Sequence, residues 1–134
     1  MINIVVVDSG VNLQHHILCG KNIMALEYCG GQMIEGGSDD YGHGTAIAGI
    51  ISKCNANINL TMIKVNDIEN GLDESTLIDI LTYISQIKDV DIVNLSLGIN
   101  VCENYDLLYD VCRSLEEKGV IVVSAFDNAG AISY

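Results

Sequence analysis

The apolar positions of this chain alternate between two periods. Ile2 to Val7 is an apolar, β-branched run closed by Asp8-Ser9-Gly10, which reads as a strand buried on both faces. Ile58 to Val65, Asp91 to Leu97 and Val120 to Ala125 repeat that signature. Between them the period changes. Leu77, Ile80, Leu81, Ile84 and Ile87 fall at helical spacing after Asp73-Glu74-Ser75, which supplies caps and negative charge for a helix to about Lys88. Leu107, Leu108, Val111, Cys112 and Leu115 form the inward side of a helix from about Asn104 to Lys118, with Gly119 as its C′ residue. Strands alternating with helices predict an α/β domain built on a parallel sheet with right-handed crossovers. No internal repeat or low-complexity linker interrupts it, and there is no proline.

The connection from Val11 to Gly42 is long, with a short strand predicted over Lys21 to Glu27 and turns at Gly30-Gly31 and Gly36-Gly37. It leads into Asp39-Asp40-Tyr41-Gly42-His43-Gly44-Thr45, followed by small and apolar residues. Thr45 is the expected N-terminal residue of a helix to about Cys54, with Ala46, Ile47, Ala48, Ile50 and Ile51 as its buried body. Gly44 and Gly49 leave room for another backbone to approach. A histidine in a tight glycine turn at a helix mouth is well placed for proton transfer. Taken alone, it is equally a turn residue preceding a core helix.

Composition narrows the picture. The chain has 134 residues, suited to one domain, and its hydrophobic fraction of 49% with mean hydropathy of +0.34 indicates a filled core. No run is long and apolar enough to span a membrane. Eighteen acidic against six basic side chains give a formal charge of −12, which argues against nucleic acid or an anionic membrane as partner. Five cysteines (Cys19, Cys29, Cys54, Cys102 and Cys112) form no CxxC pair and are expected as free thiols, two of them buried on helices. Met1-Ile2-Asn3-Ile4 lacks a basic n-region, so a cytoplasmic location is expected. His15-His16 with Cys19 does not match the usual zinc patterns, adjacent histidines being expected to point apart, and no metal site is assigned.

Ligands of open α/β sheets lie beyond the carboxyl ends of the strands. Asp8 follows the first strand, Ser96 to Gly98 the third and Asp127-Asn128 the fourth, while His43 opens a helix. An aspartate beside a histidine fixes its tautomer and stabilises the imidazolium, and an asparagine amide can donate to an oxyanion. Singly, Asp8 could cap a turn and Asn128 could hold a positive φ. Their convergence at one sheet edge points to catalysis. A receiver-type signalling domain would want a second acid near Asp8 and an acceptor aspartate after the third strand, where Ser9 and Ser96 stand.

Val6-Val7-Asp8-Ser9-Gly10-Val11, Gly42-His43-Gly44-Thr45-Ala46-Ile47-Ala48-Gly49, Asn94-Leu95-Ser96-Leu97-Gly98 and Val122-Val123-Ser124-Ala125-Phe126-Asp127-Asn128-Ala129-Gly130 resemble, in order, the signature blocks of the subtilisin-like serine peptidases. The resemblance spans the whole chain. It implies a three-layer doubly wound parallel sheet with helices on both faces, and residues 1–134 as a partial peptidase domain incomplete at its C-terminal end. It implies that Asp8 orients His43, that His43 is general base and then general acid, and that Asn128 donates to the oxyanion. Ser96, Leu97 and Gly98 would pair with an extended peptide as an added strand, and Ala125, Phe126 and Asp127 would wall the primary specificity pocket. The expected partners are a peptide or protein substrate and the remaining part of the same domain. No cofactor is implied, and although calcium occurs in the family no site is identifiable. The family's nucleophile sits in a Gly-Thr-Ser block downstream of the oxyanion asparagine. This sequence contains no such block, so the chain alone is expected to be inactive, and no serine in it is nominated. Phe126-Asp127 stands where the family has small residues, which predicts a basic side chain before the scissile bond where Asp127 faces the pocket, and an apolar one where Asp127 turns outward and Phe126 shapes the wall. The competing reading is a non-catalytic module that holds a peptide or protein without cutting it.

Overall fold

The computed structural model describes residues 1–66, 72–96 and 105–124. Strand β1 (Ile2–Asp8) lies at the centre of a six-stranded sheet. On one side it pairs in parallel with β4 (Ile58–Lys64), which pairs with β2 (Asn22–Cys29), itself bordered by β3 (Gln32–Glu35). On the other side come β5 (Ile92–Leu95) and β6 (Ile121–Ser124), both parallel, so the order is β3-β2-β4-β1-β5-β6. The edge strand β3 is antiparallel to β2, a departure from the all-parallel expectation. Gly30 and Gly31, with φ of 54° and 90°, make the reversal that joins the two strands.

Alternate residues of β1 feed two cores. Val5 and Val7 pack with Ile63, Val93 and Leu95 under helices α2 (Glu74–Ser85) and α3 (Tyr105–Glu117). Ile4 and Val6 pack with Leu60, Met62 and Ala48 on the opposite face, under α1 (His43–Cys54) and the short 3-10 turn His16–Leu18. Helices therefore cover both faces, and the three-layer α/β arrangement is observed. Full burial of side chains such as Met62, Ile63, Ile80 and Leu115 stabilises it by about 1.5–3 kcal/mol each.

The helices refine the sequence reading. In α2, Leu77, Ile80, Leu81 and Ile84 are buried as expected, but the helix stops at Ser85. In α3, Leu108 and Leu115 are buried and Val111 and Cys112 partly so, whereas Leu107 is exposed because it sits one helical step off that stripe. The larger correction concerns α1. It begins at His43, not Thr45, and its buried face is Gly44, Thr45, Ala48, Gly49 and Ser52, while Ala46 and Ile50 face outward. Small residues fill that face because the helix lies close to its neighbours. A Cβ on Gly44 would sit 2.0 Å from the Gly10 carbonyl oxygen, and one on Gly49 would sit 2.6 Å from Ile17 Cδ1.

Cys54 is exposed and Cys112 half-buried, so neither is the fully buried helical thiol expected. Burial and the neighbouring Glu116 push the Cys112 thiol up. Cys19, Cys29, Cys54 and Cys112 are free, and Cys102 lies outside the described residues. Among the described residues no helix is long and apolar enough to cross a membrane.

Candidate active site

The central strand sets the site. Asp8 ends β1 with none of its surface exposed, flanked by Lys64 of β4 in register and by the start of the segment after β5. A buried carboxylate needs partners. The backbone N–H of Ser9 donates to its Oδ1 at 2.6 Å, and His43 Nδ1 lies 3.0 Å from each carboxylate oxygen. With Asp8 ionised, this contact selects the tautomer that carries its proton on Nδ1. The His43 side chain is 48% exposed, and Nε2 lies on the side of the ring away from Asp8. A buried acid orienting a half-exposed imidazole can accept a proton at Nε2 and stabilise the cation that results.

The first turn of α1 is held from outside the helix. Gly42, at φ of 94°, is its N-cap and has no side chain to offer the orphan donors. Ser9 Oγ accepts from Gly44 N at 2.9 Å, and Asp39 Oδ2 accepts from Thr45 N at 2.9 Å and from Thr45 Oγ1 at 2.5 Å. Asp39 Oδ1 accepts from Ser9 Oγ at 2.8 Å, from Gly42 N at 2.7 Å and from Tyr41 N at 3.1 Å. Partial burial pushes the Asp39 carboxyl up, but the hydrogen bonds from Thr45, Gly42 and Ser9 outweigh it and bring it down to about 2. Thr45 Oγ1 also accepts from Asn12 N at 2.9 Å, tying the helix to the chain just beyond β1. Lys64, nearly buried at the end of β4, donates from Nζ to Ser38 O at 2.5 Å and stands 3.5 Å from Asp40.

Asp8, His43 and Ser96 are thus brought to one end of the sheet. Ser96 N donates to Val7 O at 3.2 Å, one residue before Asp8, and its Oγ accepts from Asn94 Nδ2 at 2.9 Å. Leu97, Gly98, Ala125, Phe126, Asp127 and Asn128 lie outside the described residues. The sequence reading missed Asp39 and Lys64. The spacing of Asp39, four residues before His43, was the available signal, since a carboxylate there can reach the N–H groups of the following helical turn.

His15 and His16 do not point apart as expected. Their rings stack with centroids 4.6 Å apart, because His15 caps the 3-10 turn with Nδ1 accepting from Ile17 N and so folds its ring over the turn. Among the described residues there is no group of three His, Cys, Asp or Glu side chains able to hold a metal ion.

The central, mostly parallel sheet places a buried acid against a half-exposed histidine at its carboxyl end, and comparison with known sequences specifies the class. The model of the subtilase family, Peptidase_S8, matches residues 2–133, and the chain belongs to that family. It is 30% identical over 138 residues to the minor extracellular protease Epr of Bacillus subtilis (strain 168), an alignment covering 96% of this chain and 20% of that protein. The chain therefore spans about a fifth of that relative's length. A relative named as extracellular gives no support to the cytoplasmic expectation.

Proposed function

We propose that this chain supplies the acid and the base of a serine endopeptidase site of the subtilisin type, with Asp8 orienting His43 and His43 moving the proton. The observation that carries the reading is His43 Nδ1 at 3.0 Å from both oxygens of a fully buried Asp8, with the ring otherwise half-exposed. On this reading His43 Nε2 takes the proton from a serine hydroxyl as it attacks the peptide carbonyl. It then delivers that proton to the leaving amine, and an ionised Asp8 stabilises the imidazolium in between. Asn128 donates its amide to the tetrahedral oxyanion. Ser96, Leu97 and Gly98 hold the substrate as an added strand, and Ala125, Phe126 and Asp127 form a wall of the pocket for the side chain before the scissile bond.

On this reading the nucleophile comes from a Gly-Thr-Ser block, which this sequence does not contain, so the 134-residue chain by itself does not cleave. The experiment is labelling with a fluorophosphonate serine probe. The chain by itself stays unlabelled. The product of the complete reading frame around it is labelled, and His43→Ala or Asp8→Asn lowers its peptide hydrolysis by on the order of 10⁴–10⁶ in turnover. Stoichiometric, His43-dependent labelling of the 134-residue chain overturns the assignment of the nucleophile. Unchanged hydrolysis in both variants overturns the assignment of the pair. A complete reading frame that holds peptide without labelling or cleavage selects the binding-module reading instead.

A further inference from the structure

We propose that Asp39 is a positioning residue for the Asp8–His43 pair, holding the turn that presents the histidine against the strand that presents the acid. The inference rests on the acid–base reading of that pair. Asp8 and His43 belong to different elements, so their contact depends on how the end of β1 and the start of α1 are held together.

The glycine turn cannot hold them by itself. Gly42 offers no capping side chain, and Gly10 and Gly44 meet backbone to backbone. Asp39 bridges the two sides with a single carboxylate. One oxygen accepts from Ser9, the residue directly after Asp8, and the other accepts twice from Thr45, two residues after His43. Ser9 Oγ closes the loop by accepting from Gly44, the residue directly after His43. Each flank of the reacting pair is therefore tied through Asp39, although Asp39 hydrogen-bonds to neither member. The loop that carries it is itself anchored, since the buried Lys64 holds the Ser38 carbonyl. A carboxylate is required there because every partner is a donor. An asparagine would turn an NH₂ toward N–H or O–H groups on one side or the other.

The test is nitrogen NMR of the 134-residue chain with labelled histidine, at an alkaline pH where imidazole is neutral. The His43 signals are assigned through His43→Gln. In the native chain Nδ1 carries the proton, because Asp8 selects that tautomer. Asp39→Asn loses that signature and gives the averaged or Nε2–H form that free imidazole favours. Thr45→Val does the same through a single lost link, and Thr45→Ser, which keeps the hydroxyl, restores the native spectrum. Asp40→Asn removes an equal charge from the exposed neighbour and leaves the spectrum native. Circular dichroism checks that each variant folds, and where Asp39→Asn does not, the Thr45 pair decides. A native Nδ1–H spectrum in folded Asp39→Asn or, failing that, in Thr45→Val overturns the proposal, as does an equal loss in Asp40→Asn. The Asp8→Asn arm separates the two readings. If it leaves the spectrum native, the reading of the pair itself falls and the positioning role goes with it. If it changes the spectrum while Asp39→Asn does not, only the positioning role falls.

Discussion

At the scale of single residues, two carboxylates in this molecule solve different problems. Asp8 is buried outright and has its charge met by one N–H and one imidazole. Asp39 is only partly buried and collects five donors. Those donors favour its ionised form, so its carboxyl sits at about 2 instead of 3.8. A carboxylate whose folded value is depressed contributes stability that is fully present above its unfolded value and is lost as pH falls through the folded one. Asp39→Asn should therefore cost on the order of 2 kcal/mol at neutral pH, the worth of charge-assisted hydrogen bonds left badly matched. The difference in melting temperature between native chain and variant should hold steady well above pH 3.8, shrink as pH falls from there through about 2, and vanish only below that. Melts recorded by circular dichroism across that range check it. A difference that persists unchanged at the acid end would mean that Asp39 acts by shape and not by charge.

At the scale of elements, α1 shows why a helix can be recognised from sequence while its buried face is not. A histidine, a threonine and an apolar run announce a helix, and the larger side chains Ile47, Ile50 and Ile51 suggest the inward side. The structure turns Ile50 outward, leaves Ile47 and Ile51 half-buried against the core and buries the small residues most fully, because the backbone of the Gly10 loop lies against Gly44 and the Ile17 side chain against Gly49. No period in the local sequence encodes which neighbour arrives. The two glycines should accordingly respond differently to alanine. Gly44→Ala drives a Cβ into a carbonyl oxygen 2.0 Å away, which only backbone movement relieves, and should cost about 3 kcal/mol or more. Gly49→Ala meets the tip of a flexible isoleucine at 2.6 Å and gains about 1 kcal/mol of helix propensity, so it should be near neutral. Urea denaturation midpoints of the two variants test this contrast, and equal losses would refute the close backbone contact. The same distinction separates what else was legible. β1, β4, β5 and β6 read directly from their β-branched runs, and the Asp8–His43 pair followed from the family blocks around it. β3 was hidden because Gln32–Glu35 is short, polar at both ends and announced only by glycines. Asp39 was hidden because its partners, Ser9 and Thr45, are distant in sequence from one another and meet only once the sheet and helix have packed.

At the scale of the whole molecule, burial declines along the sheet toward β6. In one row across the α1 face, Ile4 is 8% exposed, its partner Ile92 is half-buried and Ile121 is 61% exposed. The next row runs from Val6, fully buried, through Asn94 to Val123 at 46% exposed. A strand at the end of the sheet order with outward β-branched residues is a template for further pairing or for burial against another surface. Opposing this is a net charge of −12, which repels a second copy at long range. Apolar contact acts at short range and is insensitive to screening, whereas the repulsion fades once the Debye length falls to about 8 Å near physiological ionic strength. The 134-residue chain should thus stay largely dispersed in dilute buffer and associate as salt is added. Ile121→Thr with Val123→Thr removes the apolar contact without altering charge or β-branching, so the double variant should remain dispersed across the same salt range. Sedimentation velocity at low and physiological ionic strength distinguishes the outcomes. A native chain that is monomeric at both would remove the case for a sticky edge, and a double variant that associates as readily would place the contact elsewhere on the surface.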